Sequence, residues 1–370
     1  MSAAGRSQAL APEGQVRGGV MHEDAPLWVL LGDRHGDNRQ LLAIADALGR
    51  PYRKVHLRFR RGARVKWARW FAHRLTWRTE PDLAPPWPRA VLAAGRKSVP
   101  AALWIRRASG GTTRLVHVNR PWAPLGWFDL VVTTPQYALP RRDNVLVNLL
   151  PFVPPVESAP LPASFAGRAA SLPRPWTAVL IGGNSRPFVL DAETATRLAS
   201  TVNDEVRRAG GSAWVLDSPR TPPAAMAALE GALEVPSQPV RWGRDENCYA
   251  ALLGLADRFI VTADSASMLT EALLSGRPVK PFALPADPDG YWRFGAAWRQ
   301  AAERAPRSIV ARLLDCVVGL GLFSSVRDLG RLQQGLADAG LFAAAGRALA
   351  VAEAERARTV ARINAVIDRL

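Results

Sequence analysis

Arg258-Phe259-Ile260-Val261-Thr262-Ala263-Asp264-Ser265-Ala266-Ser267-Met268-Leu269-Thr270-Glu271 begins as an apolar strand candidate over Arg258–Ala263, crosses a polar cluster, and enters a helical pattern. The first turn of such a helix exposes N–H donors and the positive end of the helix dipole, which favour an anion. Asp264 or Ser265 is the expected N-cap, and the helix is expected over 265–275. Met268, Leu269, Ala272 and Leu273 form the expected buried stripe, while Ser267 and Glu271 share another face at i, i+4 spacing. A carboxylate there can accept hydrogen bonds from both hydroxyls of a ribose. A solvated Glu on a capped helix is the plainer reading of the same residue.

A second stretch repeats the pattern. Thr177–Ile181 is a β-branched and apolar strand that runs directly into Gly182-Gly183-Asn184-Ser185. Glycines let the main chain approach a phosphate and turn its N–H groups inward, and Ser185 adds a hydroxyl donor. The loop suits a diphosphate, and it equally suits an ordinary tight turn after a buried strand.

Outward from these loops, strand and helix patterns alternate along the chain. Strand candidates at 27–32, 52–57, 89–94, 114–119, 128–133 and 144–149 are separated by helical patterns such as 39–48 and 97–107, as in a parallel sheet. Residues 151–175 hold seven prolines, among them Pro154, Pro155, Pro173 and Pro175, and read as an inter-domain linker without a regular element. The alternation restarts at Thr177, with helices expected over 192–209 and near 223–231, and strands at 213–217, 258–263 and 278–282. From Tyr291 the chain turns helical and alanine-rich, and Val360, Ile363, Ile367 and Leu370 hold a helical period. The domain reading is therefore a disordered leader over 1–26, an N-terminal Rossmann-like domain over 27–150, the linker, a second Rossmann-like domain over 176–340, and a C-terminal helix over 341–370. Two such halves place ligands in a cleft at the carboxyl ends of both sets of strands.

A length of 370 residues agrees with two cores rather than one. With 48% hydrophobic and 22% charged residues the composition is globular. A formal charge of +16 favours anionic partners without choosing among them. Cys248 and Cys316 lack metal-ligand or CxxC spacing and read as reduced core residues of a cytosolic protein. No apolar run has the length of a membrane-spanning helix.

The first strand ends in Gly32-Asp33-Arg34-His35-Gly36-Asp37-Asn38-Arg39-Gln40. Asp37 and Gln40 fit a capping box; Asp33 or Asp37 is also placed to act as general base on an acceptor hydroxyl. Neither GxGxxG nor GxxxxGK[ST] occurs, which removes the dinucleotide and P-loop readings. Between Arg58 and Arg78 eight cations and no acids surround Trp67, Trp70, Phe71, Leu75 and Trp77. A cationic helix with one aromatic stripe has the composition of an interfacial membrane helix, and Arg64, Lys66, Trp67, Trp70 and Phe71 are its candidate contacts. Core packing with a solvated basic back is the alternative, and no nucleic-acid-binding signature accompanies the segment.

Together these residues resemble the bacterial relatives of the plant "elongated mitochondria" fission protein family. The resemblance rests on Gly36-Asp37-x-x-Gln40, Asp129-Leu130-Val131-Val132 with Pro135, Asn144-Val145-Leu146, Leu180-Ile181-Gly182-Gly183-x-Ser185, and Thr262-x-Asp264-Ser265-x-Ser267-Met268-x-x-Glu271-Ala272 with Gly276-x-Pro278-Val279. It implies an α/β, glycosyltransferase-B-like fold, two Rossmann-type domains facing a cleft with C-terminal helices packing back. It also implies either a sugar-nucleotide-dependent transferase or a recruiting surface for fission machinery. The last loops are similar to those of lipid A disaccharide synthase and of the peptidoglycan transferase that acts on lipid-linked muramyl peptide. On the transferase reading Gly182, Gly183, Ser185, Asp264, Ser265, Ser267, Met268 and Glu271 hold a nucleotide-diphosphate sugar as substrate, with no metal and no cofactor. The protein would then work at the inner face of the cytoplasmic membrane on an envelope or lipid-linked glycan. On the other reading it is a non-catalytic membrane-associated adaptor with a protein partner.

Overall fold

The computed structural model describes residues 27–60, 76–156, 159–323, 327–343 and 346–369. The expected leader over 1–26 and the membrane contacts Arg64, Lys66, Trp67, Trp70 and Phe71 lie outside them.

The first half contains β1 (Leu27–Leu31), α1 (His35–Leu48), β2 (Tyr52–His56), the short β3 (Arg58–Phe59) and β4 (Trp77–Arg78), β5 (Ala90–Ala94), α2 (Val99–Ala108), β6 (Arg114–Val118), β7 (Leu130–Thr133) and β8 (Val145–Val147). Six strands form one parallel sheet in the order β2-β1-β5-β6-β7-β8, while β3 and β4 pair antiparallel apart from it. β1 is buried along its whole length, as expected of a central parallel strand covered on both faces. One face packs under α1 through Leu41, Ile44 and Leu48. The other packs against α2 and a group of tryptophans, in which Trp104 meets Trp77 and Trp87 edge to face at 5.6 and 5.8 Å.

The connection that follows is not without structure. Pro162 precedes α3 (Ala163–Ser171), so the prolines of 151–175 flank a nine-residue helix rather than forbid one. Phe165 anchors it against Trp214, with ring centroids 5.7 Å apart. This corrects the reading of the segment as a linker with no regular element.

The second half contains β9 (Trp176–Leu180), α4 (Ala192–Ala209), β10 (Ser212–Leu216), α5 (Pro223–Ala232), β11 (Ser237–Val240), α6 (Tyr249–Leu255), β12 (Arg258–Thr262), α7 (Ala266–Leu274) and β13 (Val279–Phe282). They build a parallel sheet ordered β11-β10-β9-β12-β13. α4 and α5 cover one face; α6, α7 and α10 (Leu329–Asp338) cover the other. α4 begins where the Asp191 carboxylate accepts from the Thr194 amide at 2.8 Å and stops at Gly210 in the left-handed region.

α8 (Gly290–Arg304) and α9 (Ile309–Gly319) pair beside the second sheet and reach Leu139 of the first half. α11 (Arg347–Ile367) crosses the molecule. Its start packs with the second core through Ala348, Val351 and Ala352, and its end fills the first core with Ile363, Val366 and Ile367. Between these contacts the Glu355 carboxylate accepts from the amides of Leu149 and Leu150 at 2.6 and 3.0 Å, where the chain leaves the first sheet. Cys248 is buried as expected, but Cys316 is exposed on α9, which corrects its reading as a core residue. Among the described residues no helix is long and apolar enough to cross a membrane.

Candidate functional site

Both sheets reverse their strand order beside the strand that starts them, between β1 and β5 in the first and between β9 and β12 in the second. The loops leaving those strands splay apart at such a point and leave a crevice. The two loops singled out in the sequence leave β9 and β12, so the fold brings them together. The Gly182 amide donates to Thr262 Oγ1 at 2.7 Å, and the Gly183 amide stabilises the charged form of the Asp264 carboxyl.

The glycines answer a packing demand. A Cβ on Gly182 would overlap the Asp264 carboxylate; on Gly183, which sits at φ +133°, it would overlap the backbone of Arg220. The Gly182 carbonyl accepts from the hydroxyls of Ser218 and, at 2.7 Å, Thr221. The Asn184 amide donates to the Arg220 carbonyl at 3.2 Å, and that of Ser185 to the Phe188 carbonyl at 3.2 Å. The amides of Gly182, Asn184 and Ser185 therefore bond within the protein, where the sequence suggested a cradle open to a diphosphate.

Asp264 is fully buried. Burial pushes its carboxyl above the usual carboxylate range, against the pull of Arg220, Thr262 and the Gly183 amide. Arg220 Nη1 lies 3.1 Å from Oδ2 as an ion pair, although the contact lacks hydrogen-bond alignment and that oxygen has no hydrogen-bond partner among the described residues. Ser265 is the N-cap of α7 by position, and its side chain makes no capping hydrogen bond. Ser265, Ser267 and Met268 are half-buried around the first turn, and Met268 packs at the edge of the core that holds Leu269, Ala272 and Leu273.

Glu271 differs most from its expected place. It is 3% exposed, and both of its carboxylate oxygens are engaged. Tyr249 donates its hydroxyl to Oε2 at 2.6 Å. Arg39, on α1 of the first half, sets Nη1 3.0 Å from Oε1. The residue read as pointing along the cleft instead ties the two halves together. Burial and the neighbouring Glu271 push the Tyr249 hydroxyl well above its ordinary pKa, so it stays a donor at all working pH.

On the first sheet, α1 begins at His35 with Arg34 at the N-cap position, so Asp37 already lies in the first turn. Gln40 is buried and accepts from Asn119 Nδ2 at 3.4 Å. The two residues are therefore not a capping box. Asn38 closes the loop instead, accepting from the Gly32 amide and donating to the Gly32 carbonyl, both at 2.9 Å. Asp33 pairs with Lys97. Burial pushes the Asp37 carboxyl above the usual range, against the opposing pull of Arg34, Arg327 and the Asn119 side chain.

Asp33, Asp37 and Ser185 line one cavity of about 660 Å³. Its wall is built from the loops after β1, β5, β6 and β7, from Ser185 and Arg186 after β9, and from Arg327. Both halves thus contribute to it. Gly182, Gly183, Asp264, Ser265, Ser267, Met268 and Glu271 do not line it. A smaller cavity of about 330 Å³ lies beyond Arg186, floored by Phe188 and Trp292.

Sequence reasoning missed the basic side chains of the larger cavity, namely Arg96, Lys97, Arg120, Arg186 and Arg327, and missed Arg39 and Tyr249 around Glu271. A signal for three of them was present. Arg96, Lys97 and Arg120 follow the ends of β5 and β6 within three residues, where ligand-facing groups of a parallel sheet belong.

Two Rossmann-type α/β domains whose strand ends face each other across a shared cleft define the glycosyltransferase-B class of fold. Within that class, the family model described as "Mitochondrial fission ELM1" matches residues 35–307. The chain belongs to this family.

It is 26% identical over 223 residues to the mitochondrial fission protein ELM1 of Arabidopsis thaliana, covering 52% of this chain and 51% of that one. The match thus spans about half the length of the plant relative. An uncharacterized protein of Rickettsia prowazekii, RP120, is 22% identical over 297 residues, covering 70% of this chain and 83% of that one. Among solved structures, a putative UDP-N-acetylglucosamine 2-epimerase from Listeria monocytogenes superposes over 93% of this chain and 97% of that one. At 11% identity and a TM-score of 0.49, that likeness is too loose to bear on chemistry.

Proposed function

We propose that the protein is a metal-independent glycosyltransferase that takes a nucleotide-diphosphate sugar in the second domain and passes the sugar to an acceptor held on the first. The observation that supports this most is a cavity walled by strand-end loops of both domains, with the Asp37 carboxylate in it. A carboxylate whose pKa is raised by burial is a better base for an acceptor hydroxyl than an exposed one. Ser185, Ser265, Ser267 and the first-turn amides of α7 would meet the diphosphate, and Glu271 the ribose once Arg39 moves aside. The acceptor would be an envelope or lipid-linked glycan, reached from the cytosolic face of a membrane through the basic aromatic segment around Trp67 and Trp70.

One observation favours the second reading, a non-catalytic adaptor. The amides of Gly182, Asn184 and Ser185 and both oxygens of Glu271 already have partners within the protein, so the fold holds together with nothing bound.

A thermal-shift panel of nucleoside diphosphates and their sugars separates the two, because a ligand that binds only the folded state raises its stability. The transferase reading expects at least one nucleotide to raise the melting temperature. Calorimetry should then show binding weakened in Glu271→Ala and retained in Asp37→Asn, with sugar transfer lost in the latter. A flat panel with intact vesicle binding would make the protein an adaptor.

A further inference from the structure

We propose that the larger cavity is an anion site built on the first domain, taking a phosphate-bearing ligand of at least two negative charges with Arg120 as its half-buried anchor. This claim concerns binding, and it stands whether or not sugar is transferred.

Charge is the first argument. Arg34, Arg96, Lys97, Arg120, Arg186 and Arg327 line the cavity against only Asp33 and Asp37. Lys97 is neutralised by Asp33 and Arg186 pairs with Asp289 at 3.7 Å, which leaves four guanidinium groups facing the Asp37 carboxylate. Arginine rather than lysine is the choice for a planar, two-pronged grip on phosphate.

The second argument is the state of Arg120. Its Nε and Nη1 are buried and have no hydrogen-bond partner among the described residues, and burial lowers its pKa to about 10. Its guanidinium carbon lies 4.2 Å from the Trp122 ring centroid and 5.5 Å from that of Tyr137. Such stacking orients the group but leaves the donors on Nε and Nη1 unmet. A half-buried charge whose inward donors lack an acceptor is costly to keep, and an anion entering the cavity would offset that cost.

Backbone strain is the third. Asn119 and Trp122, on either side of Arg120, both take positive φ, at 66° and 60°. Such a conformation is a true outlier for a bulky residue like Trp, and it persists where surrounding structure imposes it, often around ligands. Arg327 arrives from the far end of the chain and is held by its Nε donating to Gln136 Oε1 at 2.9 Å. Four strand-end loops, one of them strained, and a distant segment thus bring arginines to one cavity.

The experiment is calorimetric titration of the full chain with inorganic pyrophosphate at low and high salt. Saturable one-to-one binding that weakens with salt is expected, with Arg120→Met and Arg327→Met each lowering affinity about tenfold or more. Arg120→Met should at the same time keep or raise the melting temperature, because it removes a half-buried charge whose inward donors lack an acceptor; a merely structural arginine would do the opposite. Arg277→Met, at an exposed arginine outside the cavity, should leave pyrophosphate binding unchanged. Repeating the titration with saturating UDP assigns the source: competition identifies the donor's own diphosphate, and retention identifies a separate phosphorylated molecule. Pyrophosphate binding that depends on Arg120 in a protein indifferent to every nucleotide would end the donor reading and leave this one standing. Absence of saturable binding, or affinity unaltered in both arginine variants, overturns it.

Discussion

His117 lies inside β6 with both ring nitrogens buried and without a hydrogen-bond partner among the described residues, and its ring centroid is 5.1 Å from that of Phe128. Burial lowers its pKa from 6.5 to about 3, so the folded state keeps the imidazole neutral where the unfolded chain takes up a proton. Its contribution is complete above pH 6.5 and is lost as pH falls toward about 3, a loss of up to a few kcal/mol. His117→Phe should flatten that part of the stability-versus-pH curve from urea unfolding; an unchanged slope would mean that another group titrates there. At this scale the sequence marked positions better than reasons. Gly182 and Gly183 stood out as places where only glycine serves, but the neighbours that require it, Asp264 and Arg220, come from other strands' loops. Glu271 stood out as a carboxylate at a helix start, yet its partners Tyr249 and Arg39 are set by tertiary packing that no local pattern records.

Elements with strong periodicity were legible to within a residue or two. α4 carries a capping Asp191, an apolar stripe through Leu198, Val202 and Val206, and a terminal Gly210, so every local signal agrees. β11 was missed, since Pro236 precedes and Pro239 interrupts a four-residue run that pairs only at a sheet edge. α3 was missed for a related reason, its short apolar face being completed by Trp214 rather than by its own sequence. In α11 the period of Val360, Ile363 and Ile367 showed a buried face without showing what it meets. Ile363 is fully buried in the core of the first sheet, so Ile363→Ala should cost about 2–5 kcal/mol in chemical denaturation. A cost under about 1 kcal/mol would mean that α11 docks loosely, since exposed changes fall in that range.

Across the whole molecule, the two crevices were readable from the alternation of strands and helices, whereas the charge of the larger cavity was not. Its arginines lie between positions 34 and 327 and meet only when both sheets and the segment before α10 are in place. The tie between domains belongs to this scale as well. Arg39 and a ribose would compete for the Glu271 carboxylate, so Arg39→Ala should raise nucleotide affinity several-fold by calorimetry, if each state's preference is worth about 1 kcal/mol. Lower affinity in that variant would instead make Arg39 part of the nucleotide's own binding site.

The reach of α11 also sets an order of events during synthesis. Domains generally fold as units from the N-terminus as the chain emerges, but the core of the first sheet includes Ile363, Val366 and Ile367. More than two hundred positions separate those residues from β8. The ribosome therefore releases the second sheet while the first still shows an apolar face where α11 will lie. In this protein the half made first is the half finished last.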